Sequence, residues 1–298
     1  MVKLLVLLLV CSLTAQADEL TDTLRKLRDT GQIGLGVRDR SLPFGYADGD
    51  RIVGYGVDVC LYVVAAIERE LHIPPLRVAI RPVNSVTRFS FLDDGTIDLD
   101  CGTSSNTIAR HQQAAFSNTY FVTTMRYVSR RSAGLVGVEA LRGKIVVSTA
   151  NTTNLVQLER LNVDRHLGME IRVAATTGEA FHQFQSGGAD AFVADDVLIA
   201  ALIATSPEPT SYAIDPTPLS EPEPYAIMMR KDDAPLKVLV DRATAALLQG
   251  PDGLSLYARW FEESLPGRRI NLALPMSPAL RKAFSQPTDS ADPTRYLP

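Results

Sequence analysis

The sequence predicts an α/β protein of two lobes, each built on a mostly parallel sheet covered by helices. Segments typical of strands alternate with segments typical of helices over short connections, which is the pattern of parallel sheets. This alternation starts again near residue 144. The chain of 298 residues also exceeds the length at which one hydrophobic core keeps growing. These observations together favour two lobes over one.

Composition excludes several protein classes. Hydrophobic residues make up 46% of the chain and charged residues 21%, unlike the apolar-poor, highly charged composition of disordered proteins. The 19 glycines and 18 prolines are close to globular proportions and exclude a collagen-like chain. The formal net charge of −4 leaves no basic surplus to displace counterions from phosphates. We therefore expect no nucleic-acid partner.

The N-terminus has the composition of an export signal. Lys3 precedes the apolar run 4–10, and small residues end at Ala17. The run is much shorter than the roughly 20 residues that cross a bilayer. We predict that residues 1–17 form a signal peptide that is cleaved near Ala17, so that the mature protein is exported. A retained anchor and a lipid-modified Cys11 are the weaker alternatives.

The first lobe is predicted in the order helix, strand, turns, helix, strand. A leucine repeat predicts the first helix, which Gly31 ends. A second apolar stripe predicts the next helix, and Pro74 and Pro75 block its continuation. The elements are a helix over 20–30, a strand over 33–37, a turn-rich stretch over 41–50, a helix over 58–71 and a strand over 77–80.

The second lobe repeats this rhythm before a proline-rich interruption. Its predicted elements are strands over 144–147, 171–173 and 191–194, and helices over 153–161, 179–185 and one ending at Ala204. Proline-rich sequence over 207–224 then breaks the periodicity. Beyond it we predict a strand over 226–230, a long helix over 234–248 and a helix ending near Trp260.

These elements divide the chain into three parts. Residues 1–17 are the signal peptide, residues 18–127 and 225–298 form the first lobe, and residues 128–224 form the second lobe. The crossings between lobes are expected at 120–130 and 225–230. Because ligands of open α/β sheets bind at the carboxyl ends of strands, we expect a ligand between the lobes.

The chain contains no motif that predicts catalysis or a metal site. Gly-x-Ser-x-Gly, His-Glu-x-x-His, Gly-x-Gly-x-x-Gly after the first strand and Cys-x-x-Cys are all missing. Cys60 and Cys101 both fall among apolar residues, and the sequence favours small buried thiols over a bridge between them. We therefore predict a protein that is not an enzyme and that uses no cofactor or metal.

Polar residues collect where the predicted strands end. Arg38 follows the first strand, Ser85 and Arg88 follow the next, and Asp195 follows a strand of the second lobe. Thr103, Ser105 and Arg110, and then Thr152 and Thr153, occupy equivalent places. Hydroxyls beside helix N-termini and arginine guanidinium groups both bind carboxylates. Each residue alone is typical of a helix cap or a surface, whereas the set indicates a carboxylate ligand.

Several segments resemble one family along nearly the whole mature chain. They are Gly36–Tyr46, Val53–Asp58, Asn84–Arg88, Asp98–Arg110, Gln113–Ser117, Leu141–Lys144, Asp195–Asp196, Met229–Asp233 and Trp260–Phe261. The sequence resembles periplasmic amino-acid-binding proteins of ABC transporters (solute-binding protein family 3), and the glutamate/aspartate-binding subgroup fits best. The resemblance implies a type II venus-flytrap fold of two lobes that closes on its ligand and docks on an importer permease.

The resemblance also implies how the backbone groups of an amino acid are bound. Arg110 would bind the ligand α-carboxylate, with help from Ser105 and Thr152 near helix N-termini. Thr103 and Asp195 would bind the α-ammonium group, where a buried carboxylate matches a cation.

The side chain of the ligand would be bound by a second set of residues. Arg38, Ser85 and Arg88 would contact the side-chain carboxylate, which separates acidic from neutral amino acids. Thr149 and Thr153 are secondary candidates from the second lobe. The expected ligand is therefore L-glutamate or L-aspartate, and the protein is expected to act as a monomer in the periplasm.

The sequence departs from the family pattern at two positions. Thr177 stands where the subgroup has a ligand-contacting histidine, and a neutral hydroxyl supplies no positive charge. Ile227 stands where the subgroup has the cysteine that pairs with the counterpart of Cys101, so Cys101 is either free or bonded to Cys60. An enzyme related to cyclohexadienyl dehydratase and a ligand-sensing protein that docks on a membrane receptor remain alternative functions.

Overall fold

The computed structural model describes residues 22–297, so the predicted signal peptide lies outside the described residues. Within the described range, no helix combines the length and the apolar character needed to cross a membrane. The strands are β1 (Gln32–Val37), β2 (Arg40–Ser41), β3 (Gly45–Asp48), β4 (Arg51–Val53), β5 (Arg77–Pro82), β6 (Leu99–Asp100), β7 (Ala114–Phe116), β8 (Phe121–Thr123), β9 (Met125–Arg130), β10 (Ile145–Thr149), β11 (Glu170–Ala174), β12 (Ala191–Asp195), β13 (Tyr212–Ile214), β14 (Glu223–Tyr225) and β15 (Met228–Arg230). The α-helices are α1 (Asp22–Thr30), α2 (Tyr55–Leu71), α3 (Thr87–Asp93), α4 (Thr153–Asp164), α5 (Thr177–Gln185), α6 (Asp196–Ala204), α7 (Ala234–Gln249), α8 (Pro251–Tyr257) and α9 (Pro278–Ser285).

Two five-stranded sheets form the frame of the molecule. The first has the order β5–β1–β6–β15–β7, with β1 parallel to both β5 and β6. The second has the order β11–β10–β12–β9–β13, with β10 parallel to both β11 and β12. The last two strands in each order pair in antiparallel fashion: β15 with β7 in the first sheet, and β9 with β13 in the second. The sheets are therefore mixed, and their parallel parts follow the predicted alternation of strand and helix.

Each sheet is covered by apolar side chains on both faces. The first sheet lies between a large cluster that includes α2, α7 and α9 residues and a smaller cluster around Ile97 and Phe116. The second lies between clusters around Phe192 and Val193, neighbours in β12 whose side chains point to opposite faces. This layering is what the apolar stripes of the helices and the buried strands predicted.

A short antiparallel pair, β8 with β14, joins the two sheets. The first predicted crossing, over 120–130, contains β8 and β9. The second crossing comes earlier than predicted, because it is made by Glu223–Tyr225 in the proline-rich stretch, whereas Met228–Arg230 already belongs to the first sheet. The lobe boundaries themselves remain a prediction.

Aromatic side chains pack around this crossing. Phe44 contacts Phe121 and Tyr225 edge-on, with ring centroids 4.9 and 5.5 Å apart, and Phe121 stacks on Phe261 at 5.0 Å. The same core includes Leu198 of α6, the helix that follows β12 of the second sheet. Burial of apolar area on both sides of the crossing stabilises this arrangement of the sheets.

The stretch predicted to be turns over 41–50 contains strands. β2, β3 and β4 form a small antiparallel sheet, in which Tyr46 pairs with Arg40 and Val53. Gly49 and Asp50 do make a turn, but Gly45 and Asp48 belong to β3, and Phe44 and Tyr46 are buried. Strands of two to four residues are too short to show a period in the sequence, so the prediction missed them.

The expectation of two buried thiols is wrong, because Cys60 and Cys101 form a disulfide. Their Cα atoms lie 6.0 Å apart, within the range that a bridge spans, and both residues are fully buried. Gly56, one turn before Cys60 on α2, allows this approach, since a Cβ atom there would lie 2.2 Å from the carbonyl oxygen of Cys101. The bridge ties α2 to the segment that follows β6.

Candidate ligand-binding site

The carboxyl ends of the parallel strands of both sheets meet at one cavity. Its lining includes ten of the eleven residues predicted to contact the ligand. They are Arg38, Arg88, Thr103, Ser105 and Arg110 from the first sheet's side, and Thr149, Thr152, Thr153, Thr177 and Asp195 from the second's. The cavity is narrow, with a volume of about 20 Å³. The structure brings these residues together, and their roles as ligand contacts stay predictions.

Ser85 lies just outside this cavity. It lines an adjoining groove that shares Arg38, Thr149 and Thr177 with the cavity. Its hydroxyl donates to the carbonyl oxygen of Ala150 at 3.0 Å, and Ala150 follows β10 of the other sheet. Ser85 therefore connects the two sides of the cleft, and its hydrogen is already used in this contact.

The buried guanidinium of Arg88 is held by a short relay. Its Nη1 donates to the hydroxyl of Ser104 at 2.8 Å, and that hydroxyl donates to the carboxylate of Asp100. Arg88 is 1% exposed, and within residues 22–297 its Nε has no hydrogen-bond partner. The relay orients Arg88 while leaving one of its donors unused.

The other arginines also keep unused donors. Arg110 donates from Nη1 to the carbonyl oxygen of Ser105 at 2.9 Å. The guanidinium of Arg38 makes no hydrogen bond to any other residue of the described chain, although it lines both the cavity and the adjoining groove. A guanidinium group carries five N–H donors, so the three arginines together offer many donors to an incoming anion.

The electrostatic interactions around these three arginines favour a bound anion. Burial lowers the pKa of Arg88 well below its usual range, and the charges of Arg110 and Arg38 lower it further, while Asp100 raises it. Burial likewise lowers the pKa of Arg110 and Arg38 lowers it further, whereas the carboxylates of Glu223, Asp195 and Asp100 raise it. Three like charges in a water-poor site repel one another, because the Coulomb interaction strengthens as the dielectric constant falls. A bound carboxylate would relieve this repulsion.

Acidic groups also surround this cavity. Asp195 ends β12, is buried, and accepts hydrogen bonds from Nδ2 of Asn154 at 3.2 Å and from the hydroxyl of Tyr225. Burial and, second, the neighbouring carboxylate of Glu223 raise the pKa of Asp195 from 3.8 to about 7, although the hydrogen bonds from Tyr225 and Asn154 lower it. The hydroxyl of Thr103 is buried, with no hydrogen-bond partner between residues 22 and 297. These groups suit a cationic hydrogen-bond donor.

The threonines of the second sheet begin two helices that point at the cavity. Thr152 caps α4: its hydroxyl accepts from the backbone N–H of Leu155 at 3.2 Å and donates to the carbonyl oxygen of Thr149 at 2.7 Å. Thr177 is the first residue of α5, and its hydroxyl lies 3.5 Å from that of Thr149. The positive ends of both helix dipoles therefore face the ligand space. The hydroxyl of Thr152 itself is fully engaged.

Sequence reasoning missed Glu223, which belongs to this site. It is 4% exposed, and its carboxylate accepts hydrogen bonds from Ser105, Thr153 and Gln157. The residue lies between two prolines in a stretch interpreted as an interruption, where no periodicity marks burial. Asp100 was also missed, although it lies inside one of the family-like segments. Charge in a sequence does not reveal whether the side chain is buried.

Comparisons with known proteins agree with this architecture. The chain matches the bacterial extracellular solute-binding proteins, family 3, over residues 33–263. It is 39% identical over 277 residues to an L-glutamate/L-aspartate-binding protein of Pseudomonas aeruginosa, covering 92% of this chain and 91% of that protein. It is 34% identical over 282 residues to a glutamate/aspartate import solute-binding protein of Escherichia coli, covering 93% of each.

A solved structure gives the same picture of the fold. An ABC uptake transporter substrate-binding protein of Streptococcus pneumoniae with bound histidine has a TM-score of 0.72 to this chain at 23% identity, covering 81% of this chain and 97% of that one. This likeness confirms the predicted venus-flytrap fold class. The curated relatives are named as binding and import proteins, which agrees with the prediction that the chain is not an enzyme. The chain belongs to the bacterial extracellular solute-binding proteins, family 3.

Proposed function

We propose that this protein captures L-glutamate or L-aspartate between its lobes and delivers it to the permease of an ABC importer. The observation that carries the proposal is the convergence of Arg38, Arg88 and Arg110, with unused donors, on one cavity that Asp195 also lines. An acidic amino acid has two carboxylates and one ammonium group, which is the complement of this arrangement. Relatives named for glutamate and aspartate support the choice of ligand.

The proposed contacts divide the ligand into three parts. Arg110 binds the α-carboxylate beside the N-terminus of α4. Asp195 and the free hydroxyl of Thr103 bind the α-ammonium group. Arg38 and Arg88 bind the side-chain carboxylate, and each charge-assisted hydrogen bond there contributes roughly 1.5–3 kcal/mol.

Selectivity in this proposal comes from the cost of leaving arginines without an anion. A neutral amino acid supplies only its α-carboxylate, so no ligand anion meets the half-buried Arg38 or the buried Arg88, whose link to Asp100 runs only through Ser104. Burying a charge without a partner is costly, and acidic ligands should therefore bind much more tightly than glutamine, asparagine or aliphatic amino acids. We further propose that the protein works as a periplasmic monomer, with lobes divided at residues 127/128 and 224/225.

A thermal-shift panel tests the proposal. At about 100 times its dissociation constant a ligand adds roughly 2.7 kcal/mol to stability, which raises the Tm of a protein of this size by about 5 °C. We expect such shifts with L-glutamate and L-aspartate and shifts close to zero with L-leucine and L-arginine. Shifts confined to basic or aliphatic amino acids would show that the ligand assignment is wrong.

Binding should weaken in acid because the ammonium group needs an ionised Asp195. Burial and the charge of Glu223 raise the pKa of this carboxyl to about 7 before ligand binds, so its proton must leave when the ligand arrives. The dissociation constant for L-glutamate is expected to rise as pH falls below 7, by at most about tenfold per pH unit. Calorimetry at pH 8, 7 and 6 measures this rise.

The unliganded protein should show the opposite dependence. A carboxyl whose pKa is higher in the folded than in the unfolded chain stabilises the fold fully below pH 3.8, and this contribution is lost as pH rises through about 7. Asp195→Asn removes the titrating group and serves as the control: it should bind L-glutamate weakly, with little dependence on pH over this range. An unchanged pH profile in the variant would contradict the role of Asp195.

A further inference from the structure

Glu223 ties three side chains from both sides of the cleft to one carboxylate. It lies on the crossing strand β14. Its Oε1 accepts from the hydroxyl of Ser105 and, at 2.6 Å, from the hydroxyl of Thr153, while its Oε2 accepts from Nε2 of Gln157 at 3.0 Å. Ser105 follows β6 of the first sheet, whereas Thr153 and Gln157 lie in the first turns of α4, next to the second sheet. Glu223 therefore sets the orientation of these groups when the cleft is closed.

The single hydrogen of each hydroxyl determines whether that hydroxyl can donate or only accept a hydrogen bond from the ligand. A serine or threonine hydroxyl has one hydrogen to donate and two lone pairs that accept. Because Ser105 and Thr153 both donate to Glu223, they turn only lone pairs toward the cavity that they line. Their oxygens lie 3.4 Å apart, so one small ligand group can contact both. That group must donate hydrogen bonds.

A carboxylate of the ligand cannot satisfy this pair of oxygens, so the expectation that Ser105 helps to bind the α-carboxylate does not agree with the direction of its hydroxyl. It would place its own lone pairs against theirs, and the negative charge of Glu223 behind them adds repulsion. A primary ammonium group has three N–H donors and a positive charge, and it matches the two hydroxyl oxygens together with the carboxylate of Asp195. Glu223 also interacts electrostatically with both Asp195 and Arg110, which places its charge close to the binding groups.

We propose that Glu223 is a positioning residue that makes the cavity select for the amino group of its ligand, because it holds Ser105 and Thr153 as hydrogen-bond acceptors. The inference rests on the proposed function, and it concerns recognition of the ligand's amino group, whereas the arginines recognise its carboxylates. The arginines select for carboxylates. Glu223 excludes dicarboxylates of the same length that lack the amino group, such as glutarate beside L-glutamate.

The variant Glu223→Gln tests this role. A glutamine in the same place keeps the size but can donate from its amide, which allows a hydroxyl to turn its hydrogen toward the cavity. Calorimetry should measure the dissociation constant of L-glutamate directly and that of glutarate by displacement of L-glutamate. We expect the ratio of the glutarate constant to the L-glutamate constant to fall at least tenfold in Glu223→Gln.

Two variants serve as controls. Glu221→Gln removes the same charge from an exposed neighbour, whose side chain makes no hydrogen bond within the described chain, and it should leave the ratio unchanged. Glu223→Asp keeps an acceptor carboxylate and should keep most of the selectivity. Neither control alters the arginines. Glu221→Gln measures the effect of losing one negative charge, and Glu223→Asp measures the effect of changing Glu223 while a carboxylate still accepts from the hydroxyls.

The outcomes distinguish the inference from the proposed function. If the wild-type protein binds neither L-glutamate nor L-aspartate, the proposed function fails. Suppose that the wild type binds them, but that Glu223→Gln raises the dissociation constants of L-glutamate and glutarate by the same factor, or that glutarate displaces L-glutamate from the variant no better than from the wild type. Glu223 then has only a structural role, and the inference is wrong. Should Glu223→Gln not fold, Thr153→Val removes one acceptor and must also lower the ratio, by about threefold or more; an unchanged ratio overturns the inference.

Discussion

Replacement of Arg110 by alanine is expected to abolish the binding of every amino acid, whatever its side chain. In the proposed complex Arg110 meets the α-carboxylate, which all amino acids carry. Removing one partner of a buried, hydrogen-bonded charge pair costs roughly 2–5 kcal/mol, so the dissociation constants should rise by about 30-fold to several thousand-fold. Calorimetry with L-glutamate and L-glutamine measures both losses.

Arg160→Ala is the matched control for this loss. Arg160 is an exposed arginine of α4 that pairs with Asp164 at 3.3 Å, and such surface pairs contribute little. The control should bind L-glutamate as the wild type does. Binding of L-glutamate by Arg110→Ala within a few-fold of the wild type would contradict the role given to Arg110.

Replacement of Arg88 by methionine is expected to change selectivity rather than abolish binding. Methionine keeps an unbranched chain but loses the charge that the proposal pairs with the side-chain carboxylate. L-Glutamate should lose about 100-fold in affinity, whereas L-glutamine should lose much less, so the preference for glutamate should fall at least tenfold. Calorimetric titration of the variant with both amino acids measures the preference.

The fold of the Arg88→Met variant needs its own measurement because Arg88 is buried beside Asp100. Burial raises the pKa of Asp100 and Arg88 lowers it, so loss of Arg88 should raise it further. A raised carboxyl pKa stabilises at low pH and loses that contribution as pH rises, so the loss of Tm in the variant should grow as pH rises. Equal losses of L-glutamate and L-glutamine affinity in a folded variant would contradict the division of roles between Arg88 and Arg110.

Most of the helices and parallel strands were predictable because each carries a periodic signal, whereas the short helices α3 and α9 were not predicted. α2 shows an apolar stripe over four turns, and β1 and β5 are separated from it by clear turn residues. β2 to β4 and β13 were missed, since two to four residues are too few to show a period. β14 was missed because prolines flank its glutamate. All three of its residues are buried, so it lacks the alternation of apolar and polar residues that marks a half-buried strand.

Most of the candidate site was predictable for a topological reason. The carboxyl ends of parallel strands lie at one edge of a sheet, so polar residues that follow strands far apart in the sequence are brought together. Arg38, Arg88, Arg110 and Asp195 all met this condition. Glu223 did not, because it lies in a strand that joins the sheets. The disulfide was likewise beyond a reading of local sequence, since a bridge depends on the distance between α2 and the segment after β6.

The amino-acid sequence by itself determined the α/β class, the order of most elements and the set of polar residues at the strand ends, because those properties follow from local periodicity and topology. Only the tertiary structure decided how the hydrogens of those residues are used. It showed that Ser85, Ser105, Thr152 and Thr153 already donate within the protein, and that Glu223 directs two of them. Hydrogen-bond direction depends on which groups meet across the closed cleft, and those contacts join residues that are distant in the chain.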